Sequence, residues 1–116
     1  MNGPATKFIS AAILLAAVWP AQADDVPNLN VDPVCRGIAQ QASTPGEKGG
    51  PDLALAQCVK SEQATRERLV KEWSTFGPAD KANCVAEEKM GPLPSYTDLI
   101  SCLEMARDAR TMNTNK

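Results

Sequence analysis

From residue 32 onward the apolar side chains recur three or four positions apart in four separate stretches, the period of an amphipathic helix rather than of a strand. In the first stretch Val34, Cys35, Ile38 and Ala42 fall on one side. Asp32 is placed to accept from free amides at the helix start, and Pro33 takes the first helical position, where its missing donor costs nothing. Residues 43–51 hold three glycines and two prolines and form a loop. The second and longest helix begins at about Pro51 or Asp52 and runs to Trp73. Leu55, Cys58, Val59, Leu69, Val70 and Trp73 form its apolar arc, with Phe76 just past the end.

Phe76, Gly77 and Pro78 stop that helix, and Ala79 to Met90 makes a third whose small apolar side is Ala82, Val85 and Ala86. A rigid turn, Gly91 to Pro94, precedes Ser95-Tyr96-Thr97-Asp98, which has the spacing of a capping box with Asp in place of the usual Glu. The fourth helix then continues to about Arg110, with Tyr96, Leu99, Cys102, Leu103 and Ala106 on one face. Arg107 and Arg110 at its end suit the negative pole of the helix dipole. The fold class is therefore all-α, a small bundle of about four helices.

The chain before residue 32 has a different character. Lys7 precedes an apolar run from Phe8 to Trp19, Pro20 ends it, and Ala21-Gln22-Ala23 supplies the small residues of a signal-peptidase site. The run is short of the roughly 20 residues that span a bilayer as a helix. Residues 1–23 are thus expected to be a cleaved signal peptide, and the mature chain to begin at Asp24 with no integral membrane segment. Residues 24–31 read as a flexible leader, 32–110 as the folded domain and 111–116 as a frayed tail.

Export changes the meaning of the four cysteines. An even number in an oxidising compartment reads as two disulfides, which a domain of about 93 residues with few large apolar side chains needs. Four cysteines allow three pairings. Residues at equal distances from the loop of a helical hairpin meet, and Cys35 and Cys58 lie about eight and seven residues from the first loop, Cys84 and Cys102 about seven and eight from the last turn. A bond between Cys58 and Cys84 fits the helix lengths worse. The echo of Leu55-x-x-Cys58-Val59-Lys60 in Leu99-x-x-Cys102-Leu103-Glu104 also favours two hairpins, clasped by Cys35–Cys58 and Cys84–Cys102. Each closed loop of roughly 20 residues is worth about 3 kcal/mol on the chain-entropy model, so reduction is expected to unfold most of the domain. No CxxC and no histidine is present, which argues against a metal site or any other cofactor.

The net charge of −2, with basic residues scattered among acids, argues against nucleic acid as a partner. Without histidine the usual general base is missing, and disulfide-bonded cysteines are not nucleophiles. No glycine-rich phosphate loop occurs, and Glu87-Glu88 is most simply a solvated helix face. One pair stands out: Glu62 and Arg66 lie in the middle of the second helix's apolar arc, four apart with the acid first. They are either a charged pair offered to a ligand or, more simply, an internal salt bridge whose stems pack on the core. Trp73, Phe76 and Tyr96 are candidate anchors for a partner, since aromatics dominate binding hot spots; at helical spacing the plainer reading is core.

The stretch from Cys58 to Phe76, together with Pro94 to Met105, resembles a group of small exported four-cysteine proteins of Gram-negative bacteria. No activity is assigned to that group, so the resemblance implies location and membership and carries over no functional residue. The expected function is a non-enzymatic interaction module, periplasmic or secreted, that binds an envelope protein or other envelope component. The alternatives are a carrier of a small apolar ligand, for which long apolar side chains look too few, and a small hydrolase using Glu62.

Overall fold

A short helix, a long one and a second helical pair follow one another along the chain, and each boundary has a local cause. The structure is a computed structural model that describes Gly3 and residues 25–42 and 48–115. The expected signal peptide, Asp24 and residues 43–47 of the first loop lie outside the described residues. Helix α1 spans Asp32–Gln41, α2 Gly50–Glu72, α3 Pro78–Met90 and α4 Tyr96–Thr114, with a 3₁₀ turn at Trp73–Thr75 between α2 and α3. Two disulfides clasp the helices into hairpins, Cys35–Cys58 joining α1 to α2 and Cys84–Cys102 joining α3 to α4, with Cα separations of 5.4 and 5.9 Å. Such bonds persist in oxidising surroundings, and no helix among the described residues is long and apolar enough to cross a membrane.

Several local details depart from the pattern. Asp32 is the first helical residue of α1 rather than its cap, and Pro33 follows it. The amide of Asp32 instead donates to the Asn30 side chain at 3.2 Å, so the capping oxygen comes from two residues upstream. Helix α2 starts at Gly50, preceded by Gly49 at φ +95°. A Cβ at Gly49 would lie 2.6 Å from Leu53 Cδ2, so both the left-handed backbone and the space exclude a side chain. Helix α4 continues past Arg110 to Thr114, which takes Arg107 and Arg110 out of its last turn. They act sideways: Arg107 lies over the Phe76 ring at 5.0 Å, and Arg110 grips Asp80 in the first turn of α3 with two hydrogen bonds of 2.8 Å.

The core forms between the second half of α2, α3 and α4. Leu69 and Trp73, then Phe76 and Cys84, then Tyr96, Leu99, Ile100 and Leu103 are buried together. The faces are rotated from those the spacing suggests. In α1 the buried residues are Cys35 and Ala39, while Ile38 is 48% exposed. Val70 faces solvent at 55% exposed, so it leaves the arc assigned to α2. In α3 the inner face is Lys81, Cys84 and partly Val85, while Ala82 and Ala86 are exposed. The disulfides explain the α1 and α3 rotations, because each cysteine must face its partner helix and its neighbours turn with it.

Residues 26–31, expected to be flexible, are held against this core. Leu29 is buried in it and Val26 and Val31 pack beside it. The Tyr96 hydroxyl accepts from the Leu29 amide at 2.8 Å and donates to the Pro27 carbonyl at 3.0 Å. A buried phenol needs such partners, and here they tie the leader across the start of α4.

Candidate functional site

Glu62 is where the two hairpins are joined. It sits midway along α2, and its place inside an apolar arc forces the carboxylate into the protein, where it is 5% exposed. A buried carboxylate needs donors. Oε2 accepts from the Tyr96 amide at 2.6 Å; Oε1 accepts from the Ser95 hydroxyl at 3.0 Å and the Thr97 hydroxyl at 2.7 Å. These are the N-cap and the first two residues of α4, whose leading amides lack partners within the helix and carry the positive end of its dipole. Glu62 thus caps a helix of the other hairpin. Arg66 is exposed, and among the described residues no ion pair links it to Glu62.

The capping box at Ser95 is completed from outside the helix. The Ser95 hydroxyl accepts from the Asp98 amide at 3.3 Å, the expected half. The returning half comes from α3: the Ser95 amide donates to Glu88 Oε2 at 2.9 Å. Glu88, read from its neighbourhood with Glu87 as part of a solvated face, therefore has a structural partner. Burial pushes its carboxyl above the usual carboxylate range and the Ser95 amide pulls it back; Asp98, Glu62 and Glu87 push it up further.

Beside this junction lies a groove of about 380 Å³. Val34 and Ile38 of α1 form one wall, Ala54, Gln57 and Cys58 of α2 the floor, and Glu62, Thr97 and Asp98 close the end nearest α4. The Cys35–Cys58 bond holds the two walls together. Val34 and Ile38 were placed by spacing on the packing face of α1; they line the groove because the disulfide turns Cys35 and Ala39 inward instead.

The three aromatic candidates lie elsewhere. Trp73, Phe76 and Tyr96 are 7%, 3% and 4% exposed and belong to the core. The Lys81 ammonium lies over the Trp73 ring at 5.3 Å. Two further hollows flank Trp73, one of about 370 Å³ with Asp25, Val26, Arg66 and Val70, the other of about 430 Å³ with Val70, Phe76, Pro78 and Lys81. Glu62 is thus brought together with Ser95, Tyr96 and Thr97, but not with Arg66, Trp73 or Phe76 as a site. Among the described residues no group of three or more Cys, Asp or Glu side chains is arranged to hold a metal ion.

Fold and site together define a helical protein of two disulfide-clasped hairpins, joined by a carboxylate-capped helix start and bearing an apolar groove beside it. Comparisons of the chain with protein-family models, with curated proteins and with solved structures find no match.

Proposed function

We propose that the chain is an exported, non-catalytic binding module, periplasmic or secreted, that uses the groove between α1, α2 and the start of α4 to hold an envelope protein or other envelope component. The observation that carries this reading is the contrast inside the groove. Its one buried carboxylate, Glu62, is committed to capping α4, which leaves it poorly placed to exchange protons with a substrate. The walls beside it expose Ile38 and are clasped by a disulfide, a frame that loses little freedom when something docks. Pockets for small molecules begin at roughly 300 Å³, so the groove suits one or two side chains of a partner better than a large lipid. The disulfides, the signal-like first 23 residues and the resemblance to exported four-cysteine proteins of Gram-negative bacteria support export. The charge of −2 and an acidic groove end speak for a partner other than nucleic acid.

The test is made on protein recovered from its source cells, with a photo-crosslinking residue at position 38 or, as control, at exposed position 67. A mass that begins at Asp24 and a discrete adduct formed from position 38 only are the expected results. A retained N-terminus overturns export, and identical behaviour of the two positions overturns the groove as the binding face.

A further inference from the structure

We propose that the groove receives a positively charged, partly apolar segment of a partner protein, with an aliphatic side chain against Val34, Ile38 and Ala54 and a Lys or Arg at Asp98. The inference rests on the binding-module reading and adds the chemistry of the occupant. Helix starts ordinarily favour anions, because their free amides point outward. Here three of those donors are taken: the Ser95 amide by Glu88, the Tyr96 amide by Glu62 and the Asp98 amide by the Ser95 hydroxyl. What the end of the groove offers instead is negative charge beyond what the helix end uses. Asp98 is exposed there, and among the described residues no cation pairs with it. Glu62 and Glu88 converge behind it from α2 and α3.

The lining carries no Lys or Arg, whereas the two hollows beside Trp73 hold Arg66 and Lys81, so this is the one of the three whose charged residues are all acidic. The Glu88 carboxyl is raised chiefly by burial, and Asp98, Glu62 and Glu87 push it further in the same direction. An acidic partner would meet Asp98 and Glu62 with no Lys or Arg in the lining to offset them, and a purely apolar one would leave the charge of Asp98 unanswered. A segment that pairs an aliphatic side chain with a cation satisfies both ends.

Two blocked peptides serve as probes, Gly-Leu-Lys-Leu-Gly and Gly-Leu-Glu-Leu-Gly, titrated into the oxidised full chain while backbone amide resonances are followed. The lysine peptide is expected to shift the amides of Val34, Ile38, Ala54, Gln57 and Asp98 saturably, and the glutamate peptide to leave them in place. Asp98→Asn should weaken the lysine peptide about threefold to fivefold, the scale of one partly exposed ion pair, and added salt should do the same. Asp108→Asn, an exposed acid further along α4, should leave binding unchanged, and circular dichroism verifies that both variants fold. Equal shifts from both peptides, shifts confined to other surfaces, no shifts, or an Asp98→Asn variant that binds as well as the parent would each overturn the assignment. The crosslinking test separates the two levels. If position 38 still captures a partner in the source cells while the lysine peptide leaves the groove untouched, the cationic occupant is wrong and the module stands; if neither occurs, both fall.

Discussion

The two hairpins are closed by the same kind of bond over similar spans, 23 residues for Cys35–Cys58 and 18 for Cys84–Cys102, yet the bond does different work in each. In the second hairpin Cys84 is part of the core and Cys102 packs against it, so the disulfide reinforces contacts that Leu69, Leu99 and Leu103 already make. In the first, α1 contributes Cys35 and Ala39 as its buried residues, and neither belongs to the core cluster. A ten-residue helix is marginal alone in water. The disulfide and the packing of α1 along α2 fasten this helix outside the core cluster, which leaves its outer side free to be one wall of a groove. A staple thus strengthens a core in one place and builds a surface in the other.

The comparison can be broken most directly by removing the bonds one at a time. Replacing Cys84 and Cys102 by Ala should lower the stability of the whole domain by about 3 kcal/mol, seen as a lower midpoint in thermal unfolding followed by circular dichroism. Replacing Cys35 and Cys58 by Ser should release α1 and lose its helical signal and amide protection. The core transition should then move by less than about 1 kcal/mol, because native and unfolded chains gain similar freedom there. If the two double variants unfold alike, α1 is integral to the core and the contrast fails. If they differ as expected, the effect of full reduction, expected from the sequence to unfold most of the domain, divides into these two parts.

The junction between the hairpins comes next. Glu62→Ala should cost about 2–3 kcal/mol, since it strands the Tyr96 amide and two hydroxyls, and Glu62→Gln about half as much, since its amide still accepts at one atom. Denaturant unfolding measures both; a change under about 0.5 kcal/mol for Glu62→Ala would mean that water replaces the cap without loss. Tyr96→Phe removes the strap on residues 27–29 and should cost about 1 kcal/mol, with faster amide exchange at Leu29 as its particular mark.

The smallest effect is a pH dependence at Glu88. Its carboxyl is raised in the fold, so the folded chain holds that proton more tightly than the unfolded one. The stabilisation this brings is complete below the ordinary carboxylate range and is lost as the pH rises through the raised value. Glu88→Gln should remove that component, so the stability difference between parent and variant, measured at several pH values, should change between the two. A difference that stays flat across that window would show that the Ser95 amide cancels the burial.

Much of the local structure was legible in the residues. The four helices, the turn at residues 91–94 and the Ser95 cap follow from spacing, proline and capping chemistry, which act within a few residues. The disulfide pairing was legible too, because positions equidistant from a loop meet in a helical hairpin. The candidate site was harder. Glu62 was recognisable as a charge inside an apolar arc, but its natural partner in sequence, Arg66, lies on the same helix four residues away and is exposed. Its actual partners are 33 to 35 residues distant.

The sequence by itself determined the helices, their order and the two clasps, because those depend on local periodicity and on distances measured along the chain. Only the tertiary structure decided which side of α1 and α3 turns inward, that residues 26–31 lie on the core, and that α2 and α3 each send a carboxylate to the start of α4. Those outcomes depend on which buried polar groups can satisfy one another once the hairpins pack. A lone carboxylate drawn into a core binds the unpaired donors it meets there, and here these are the Tyr96 amide and the Ser95 and Thr97 hydroxyls at the start of another helix.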